Sequence, residues 1–93
     1  MSIGRSKITA PTKARMQLAQ RLDVLIRQRG MSQRAASVRL GIPQPKICSI
    51  QNGDSRGISL ERLMIALTQL NQTVEIKITM RNTQSQGSID VLP

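Results

Sequence analysis

The side chains that could do chemistry in this sequence are mainly cationic. The chain has 93 residues, of which fourteen are Lys or Arg and five are Asp or Glu, so its formal charge is +9 and its pI is near 11.7. Ten of the fourteen cations are Arg, whose planar guanidinium group donates paired hydrogen bonds to phosphate. The composition therefore predicts a polyanionic partner, which could be a nucleic acid, an anionic membrane or an acidic protein.

Catalytic and metal chemistry find little support in the remaining residues. There is no His, which excludes His-based acid–base catalysis and His metal ligands. The single Cys48 can form neither an intramolecular disulfide nor a Cys-rich zinc site. The five carboxylates are scattered along the chain without a paired spacing. We therefore interpret the chain as a non-enzymatic protein that needs no cofactor or metal.

Membranes and single-stranded nucleic acids fit the sequence poorly. No apolar run approaches the roughly 18 residues that a membrane span needs, and the N-terminal residues lack the apolar core of a secretory signal. The chain has no Phe, Tyr or Trp, so it lacks aromatic membrane anchors and the stacking platforms used for single strands. We expect a cytoplasmic protein with no membrane partner.

The spacing of apolar residues predicts four helices in the middle of the chain. The first begins at Ala14, carries a stripe of leucines and is ended by Gly30, since glycine readily takes the left-handed conformation that closes a helix. Ser32 and Ser59 are suited to cap the second and fourth helices, and Gly41 to end the second. The predicted helices cover about residues 14–29, 33–40, 44–51 and 60–70.

Residues 33–52 have the spacing of a helix-turn-helix. Its two helices cross steeply, so a small residue is needed midway along the first, where Ser37 lies, and Gly41 can take the positive φ of the turn. Packing alone could explain this pattern, but residues 13–56 contain nine basic residues and two acidic ones. That surplus favours binding to duplex DNA, with the second helix in the major groove. The apolar residues that close the crossing are Ala36, Leu40, Ile42, Ile47 and Ile50.

Residues 72–81 change to the period of a β-strand with one apolar face. One strand cannot satisfy its own backbone, so we expect it to pair with the same strand of a second copy and to make the protein a homodimer. Addition to a different protein, such as a toxin, is the alternative. Leu63 of the fourth helix could extend the interface. The residues assigned to dimerisation are Val74, Ile76, Ile78, Met80, Leu67 and Leu70.

The two ends of the chain are polar. Residues 1–13 are predicted to be a flexible basic arm, which could grasp DNA, bind a toxin or simply be solvated. Residues 82–93 are predicted to be a disordered tail. The DNA-binding domain then covers residues 14–71 and the dimerisation strand residues 72–81. Cys48 could sense oxidants, although replacement of a serine is the simpler interpretation.

Several short strings, taken together, resemble the phage-repressor-like (Xre/Cro-type) helix-turn-helix family, and two more look like its HigA-like branch of antitoxins and regulators. The resemblance implies a mainly α, lambda-repressor-like fold of four to five helices with one C-terminal β-strand that pairs between subunits. It implies a transcriptional regulator, which we expect to be a repressor. The homodimer expected from the strand would place two recognition helices about 34 Å apart, one turn of B-DNA, and so predicts a near-palindromic operator. The alternative is the antitoxin of a type II pair, which neutralises a toxin and regulates its own operon. The strings are residues 31–33, 40–42, 44–47 and 51–53, and then 59–64 and 74–76.

The resemblance also implies roles for individual residues. Gln33 matches a glutamine that contacts a DNA phosphate, and Gln44 matches one that reads a base, for which adenine is the natural partner of an amide. Ser49 is a second candidate reader, while Lys46 and Arg56 suit phosphate. The full set of DNA-binding candidates is Gln33, Arg34, Gln44, Pro45, Lys46, Cys48, Ser49, Asn52 and Arg56.

Four positions depart from the family pattern. Ser37 stands for the usual Ala and is expected to bond back to its own helix. Pro43 occupies a position where a Ser or Thr cap is common. Cys48 and Gln51 replace a frequent Ser and Glu. These changes leave the motif intact but obscure the DNA sequence that it would bind.

Overall fold

The computed structural model describes the backbone of residues 3–80 and 87–93, and the side chains of residues 12–80 and 87–93. Within this part the protein is helical, and α1 packs against α3 and α4 while α2 packs against the same two helices. None of these helices is long and apolar enough to cross a membrane. The mainly α fold and the helix-turn-helix of α2 and α3 are therefore confirmed. The helices are α1 Ile3–Gln28, α2 Gln33–Leu40, α3 Gln44–Gln51 and α4 Leu60–Gln69.

Single residues set the ends of the helices. Gly30, with φ of 65°, follows α1 and closes it in a Schellman motif, and Gly41, with φ of 66°, ends α2. Ser32 and Ser59 cap α2 and α4, each accepting a hydrogen bond from the backbone N–H three residues on, at 3.0 and 3.1 Å. Asn71, with φ of 65°, closes α4 in the same way as Gly30. The signals at Gly30, Ser32, Gly41 and Ser59 lie where the sequence predicts them.

The four helices share one aliphatic core. Leu22 and Ile26 of α1 are fully buried, as the predicted stripe requires, and Leu63 of α4 is buried with them. Burial of a Leu or Ile side chain contributes about 1.5–3 kcal/mol, so the helix-turn-helix is held in place by the core of the whole domain. The predicted residues of the crossing are all buried: Ala36, Leu40, Ile42, Ile47 and Ile50.

The N-terminal segment differs from its prediction. Helix α1 begins at Ile3, so residues 3–13 are helical rather than an unstructured arm, and residues 1–2 lie outside the described part. The prediction gave Gly4 and Pro11 too much weight. Both weaken a helix, Pro by about 3 kcal/mol in the interior, but the φ near −65° that Pro imposes is itself helical. A helix that begins at Ile3 can therefore continue through both residues, at a cost in stability.

Two predicted dimerisation residues are wrongly assigned. Leu67 and Leu70 are 4% and 0% exposed and belong to the core together with Leu63, so they offer no surface to a second chain. The physical reason is the small size of the domain. A core without aromatic residues uses the leucines of α4 to cover α1, so these two side chains are not left for an interface.

The segment after α4 carries no helix or strand over the described residues 72–80, so the strand itself stays a prediction. Val74 packs against the core, but Ile76, Ile78 and Met80 are 73%, 93% and 88% exposed. Residues 87–93 also lack regular structure, and Arg21 of α1 donates a hydrogen bond to the Leu92 carbonyl. Part of the tail predicted to be disordered, residues 82–86, lies outside the described residues.

Candidate nucleic-acid interface

The turn between α2 and α3 is fixed from both sides. The Ser37 hydroxyl donates a hydrogen bond of 2.6 Å to the Ile42 carbonyl, so it crosses the turn instead of bonding back to its own helix as predicted. Arg62 of α4 donates to the Leu40 carbonyl at the end of α2. Because Gly41 supplies the left-handed residue between them, the angle between the two helices is set by contacts with turn and core.

The N-terminus of α2 carries the first predicted phosphate ligand. Ser32 caps the helix through the Ala35 amide, which leaves the N–H groups of Gln33 and Arg34 directed out of the first turn. The side chain of Gln33 is half-buried, and its Nε2 donates to Oε1 of Gln51 at 3.1 Å. Arg34 is exposed. This end of α2 can therefore offer backbone donors, an amide and a cation to one anionic group.

Helix α3 begins in a different way. Pro43 precedes it and makes no side-chain cap, and Pro45 has no N–H to donate. The amides of Lys46 and Ile47 both bond to the Pro43 carbonyl, at 2.9 and 3.2 Å. Within the described residues Gln44 is thus left with an unused backbone N–H and an exposed side-chain amide. Its amide can offer a donor and an acceptor together, as pairing with adenine requires.

The outer face of α3 is less uniform than the sequence predicts. Lys46 and Pro45 are exposed, but Cys48 and Ser49 are half-buried. The Ser49 hydroxyl donates to the Pro45 carbonyl at 3.0 Å, and the Asn52 amide donates to the Cys48 sulfur at 3.5 Å. Ser49 can then act toward a base as an acceptor only. Within the motif Gln44 is the side chain best placed to offer a base both the N–H donor and the carbonyl acceptor of its amide.

The loop after α3 holds an ion pair. Asp54 accepts hydrogen bonds from the Arg56 backbone and from its guanidinium group, through Nε at 3.0 Å and Nη2 at 3.1 Å. The Arg56 side-chain hydrogen bonds hold the pKa of Asp54 at about 2, below its ordinary value, and the same contact raises the pKa of Arg56. Arg56 remains exposed, so its outer N–H groups can still reach a phosphate. The carboxylate lowers the local positive charge.

Part of the loop borders α3. A shallow cleft brings Lys46 and Ser49 beside Asp54, with Ile58 among the residues that line it. Ile58 is itself buried, so the loop is anchored on the core. The structure therefore brings together Lys46, Ser49 and the Asp54–Arg56 pair, while the contact with Gln51 joins Gln33 to the far end of α3.

Several arginines serve the fold instead of the interface. Arg29 donates to the Leu70 carbonyl at 2.7 Å and Arg39 to the Gln69 carbonyl at 3.1 Å, both at the C-terminal end of α4. Arg62 does the same for α2. Cations are favoured at these ends because the unpaired carbonyls carry partial negative charge. Net charge alone therefore overstates how many cations are available for DNA.

Sequence reasoning missed two contacts of the candidate interface. It did not assign a role to Gln51, because the hydrogen bond to Gln33 joins residues 18 positions apart and leaves no local signal. It also missed that Asp54 holds Arg56. That pair did carry a signal, since opposite charges two residues apart in a loop bounded by Gly53 and Gly57 can meet when the chain bends.

Comparison with known proteins agrees with this arrangement. Residues 6–79 match a protein family described as a helix-turn-helix domain. A solved structure described as an XRE-family transcriptional regulator is similar to the chain with a TM-score of 0.78 and 34% sequence identity. The similarity covers 90% of this chain and 94% of that one. No curated protein shows a significant match.

Proposed function

Because the chain belongs to the helix-turn-helix family of XRE-type DNA-binding transcriptional regulators, we propose that it acts as a homodimeric repressor on a near-palindromic operator. The observation that carries the reading of DNA is the free amide of Gln44 at the start of α3, within a motif whose orientation is fixed by the core. The observation that carries the dimer is the exposed apolar row after α4.

The proposed contacts divide into those that position and those that specify. Gln33 and Arg34 bind a phosphate at the N-terminus of α2, and Lys46 and Arg56 bind phosphates beside α3. Gln44 pairs with adenine in the major groove. Ser49 accepts a hydrogen bond from a base. Three further candidates contact the groove wall or the DNA backbone around it: Pro45, Cys48 and Asn52.

The test of this assignment is the substitution Gln44→Ala. It should weaken binding to a duplex selected by the wild type from a random pool by about 1–3 kcal/mol and relax the preference at one base pair. The measurement is a titration against the selected duplex and its single-base variants. Gln69→Ala, an exposed glutamine on α4, is the control and should bind as the wild type. An unchanged preference in Gln44→Ala would refute the assignment.

The row of exposed apolar side chains supports a second copy of this chain as the dimer partner. Ile76, Ile78 and Met80 alternate with Glu75 and Lys77, which is the pattern of a strand with one face to bury. Within the described residues neither Glu75 nor Lys77 forms an ion pair with another part of the chain. Both the apolar face and the charged face are thus available to another strand.

The charges also suggest a register. If two copies pair antiparallel about a two-fold axis through Ile76, then Glu75 of each lies opposite Lys77 of the other, and Val74 lies opposite Ile78. Each dimer gains two ion pairs and keeps its apolar residues on one face. The segment is therefore complementary to itself. A dimer of this kind would hold two α3 helices for half-sites about 34 Å apart, one turn of B-DNA.

Reversal of single charges tests the register. Glu75→Lys or Lys77→Glu alone replaces two attractive pairs with two repulsive ones, so each should weaken the dimer roughly tenfold or more, whereas the double variant should restore it. Sedimentation equilibrium measures the dissociation constant of each variant. Singles that dimerise as the wild type would overturn this register, and a wild type that is helical but monomeric at high micromolar concentration would overturn the homodimer.

A toxin is the alternative partner for the same segment. It would add its own strand to residues 72–80 and make the protein an antitoxin that regulates its operon. The self-complementary charges favour the second copy, because a foreign strand has no need for an acid and a base symmetric about Ile76. A folded monomer in the sedimentation experiment would favour the antitoxin instead.

A further inference from the structure

We propose that Gln51 is a positioning residue for DNA binding, which acts by holding the amide of Gln33. The inference rests on the proposed function, since it concerns how one of the phosphate ligands is oriented. Gln51 is the last residue of α3 and Gln33 the first of α2. Their hydrogen bond therefore joins the two ends of the helix-turn-helix, on the side where α2 begins.

The contact leaves Gln33 correctly equipped for a phosphate. Its Nε2 carries two hydrogens, and one of them is donated to Oε1 of Gln51 at 3.1 Å. The second hydrogen remains for a phosphate oxygen in front of the α2 N-terminus, next to the backbone N–H groups that Ser32 leaves free. Without Gln51 the amide could rotate and offer its oxygen, which would repel a phosphate.

The surroundings limit the motion of this pair. Both side chains are half-buried, and Ile50, the neighbour of Gln51, is 3% exposed in the core. On its other side Gln51 borders an open groove of about 740 Å³ between α1 and the end of α3, together with Met16 and Gln20. The groove gives room for a substitution at residue 51, so the hydrogen bond can be removed without crowding the core.

Loss of the Gln51 contact should weaken DNA binding in a defined way. A freely rotating Gln33 must be ordered when DNA binds, and the loss of one held neutral hydrogen bond corresponds to about a fivefold lower affinity. The lost contact goes to phosphate, so the affinity falls equally for specific and unrelated duplexes. Because Gln51 and Gln33 are uncharged, the number of released counterions stays constant and the slope of affinity against salt does not change.

The test is a double-mutant cycle with Gln51→Met and Gln33→Met, which preserve length and remove hydrogen bonding. Titrations use a duplex selected by the wild type from a random pool and an unrelated duplex of equal length. Gln51→Met should bind both about fivefold more weakly, with the wild-type salt slope. In the Gln33→Met background it should have no further effect. Gln20→Met, which lines the same groove, should bind as the wild type.

Three results would overturn the inference. The first is that Gln51→Met binds both duplexes as tightly as the wild type. The second is that the two losses add in the double variant, and the third is that Gln51→Met changes the salt slope. Thermal unfolding of every variant shows whether a loss follows from the fold, because a merely structural role would lower the unfolding temperature in both backgrounds. Failure of the wild type to bind any duplex would instead overturn the proposed function.

Discussion

Two pairs of opposite charge with the same spacing behave differently in this chain. Asp54 and Arg56 close on each other in the loop after α3, whereas Glu75 and Lys77 form no ion pair among the described residues. In an extended segment, side chains two apart stand roughly 6.6 Å from each other on one face, and both point toward a neighbouring strand. Spacing alone therefore does not decide whether a pair is internal or is left for a partner.

The same contrast separates the two functional regions. In the helix-turn-helix the apolar residues that close the crossing of α2 and α3 are buried, and the turn carbonyls are bonded within the chain. In residues 72–80 only Val74 packs on the core, and the apolar residues that follow are exposed. The first region is complete in one chain and reads DNA with the few groups left over. The second leaves apolar side chains exposed, and we propose that a strand of another chain covers them.

The largest effect should be a difference in the stability of variants from the two regions. Leu40→Ala leaves a cavity at a residue that is 0% exposed and should lower the free energy of unfolding by about 2–5 kcal/mol at every protein concentration. Ile78→Ala removes a side chain that is 93% exposed, so it should act only through the dimer, by reducing the rise of the unfolding temperature with protein concentration. Calorimetry at several concentrations measures both effects. Equal, concentration-independent losses would contradict the division between the regions.

The second effect concerns the turn. Ser37→Ala removes the hydrogen bond to the Ile42 carbonyl and should lower the free energy of unfolding by about 1 kcal/mol, measured by urea denaturation. Ser49→Ala is the matched control, because the hydroxyl of this half-buried residue bonds within its own helix and not across the turn. It should change stability far less. If both variants unfolded alike, the turn would not depend on its hydroxyl contact.

The sequence predicted best those features that depend on contacts within a few residues. Ser32, Gly41 and Ser59 set helix ends through contacts within a few residues, so pattern reasoning located them. The hydrogen bond of the Ser37 hydroxyl was predicted with the wrong acceptor, because the acceptor depends on how the turn folds. Leu67 and Leu70 show a limit of another kind. Their spacing reveals an apolar face, but only the packed structure tells whether that face meets the core or a partner.

The charged loop should show the third effect. Arg56→Gln removes one phosphate ligand and should reduce the slope of log affinity against log salt by about 1, evenly across DNA sequences. Fluorescence anisotropy at several salt concentrations measures the slope. Lys77→Gln is the control, because Lys77 lies in the segment proposed to pair with a second copy. The slope of log affinity against log salt for this variant should stay unchanged when the protein is held dimeric at high concentration. An unchanged slope in Arg56→Gln would mean that Asp54 keeps the guanidinium group from phosphate.

The smallest effect should appear in acid. The Arg56 hydrogen bonds hold the pKa of Asp54 at about 2 in the folded chain, against 3.8 for the free side chain. Because the folded value is the lower one, the pair stabilises the fold above pH 4, and this contribution disappears as the pH falls toward 2. Asp54→Asn should therefore be slightly less stable than the wild type at pH 7 and match it near pH 2, as measured by urea denaturation across the range. The pair is exposed to solvent, which screens it, so the difference is small. In the Arg56→Gln background the same Asp54→Asn substitution should give a smaller pH-dependent difference, because the side-chain hydrogen bonds are gone and only the backbone N–H of residue 56 still lowers the pKa of the Asp54 carboxyl.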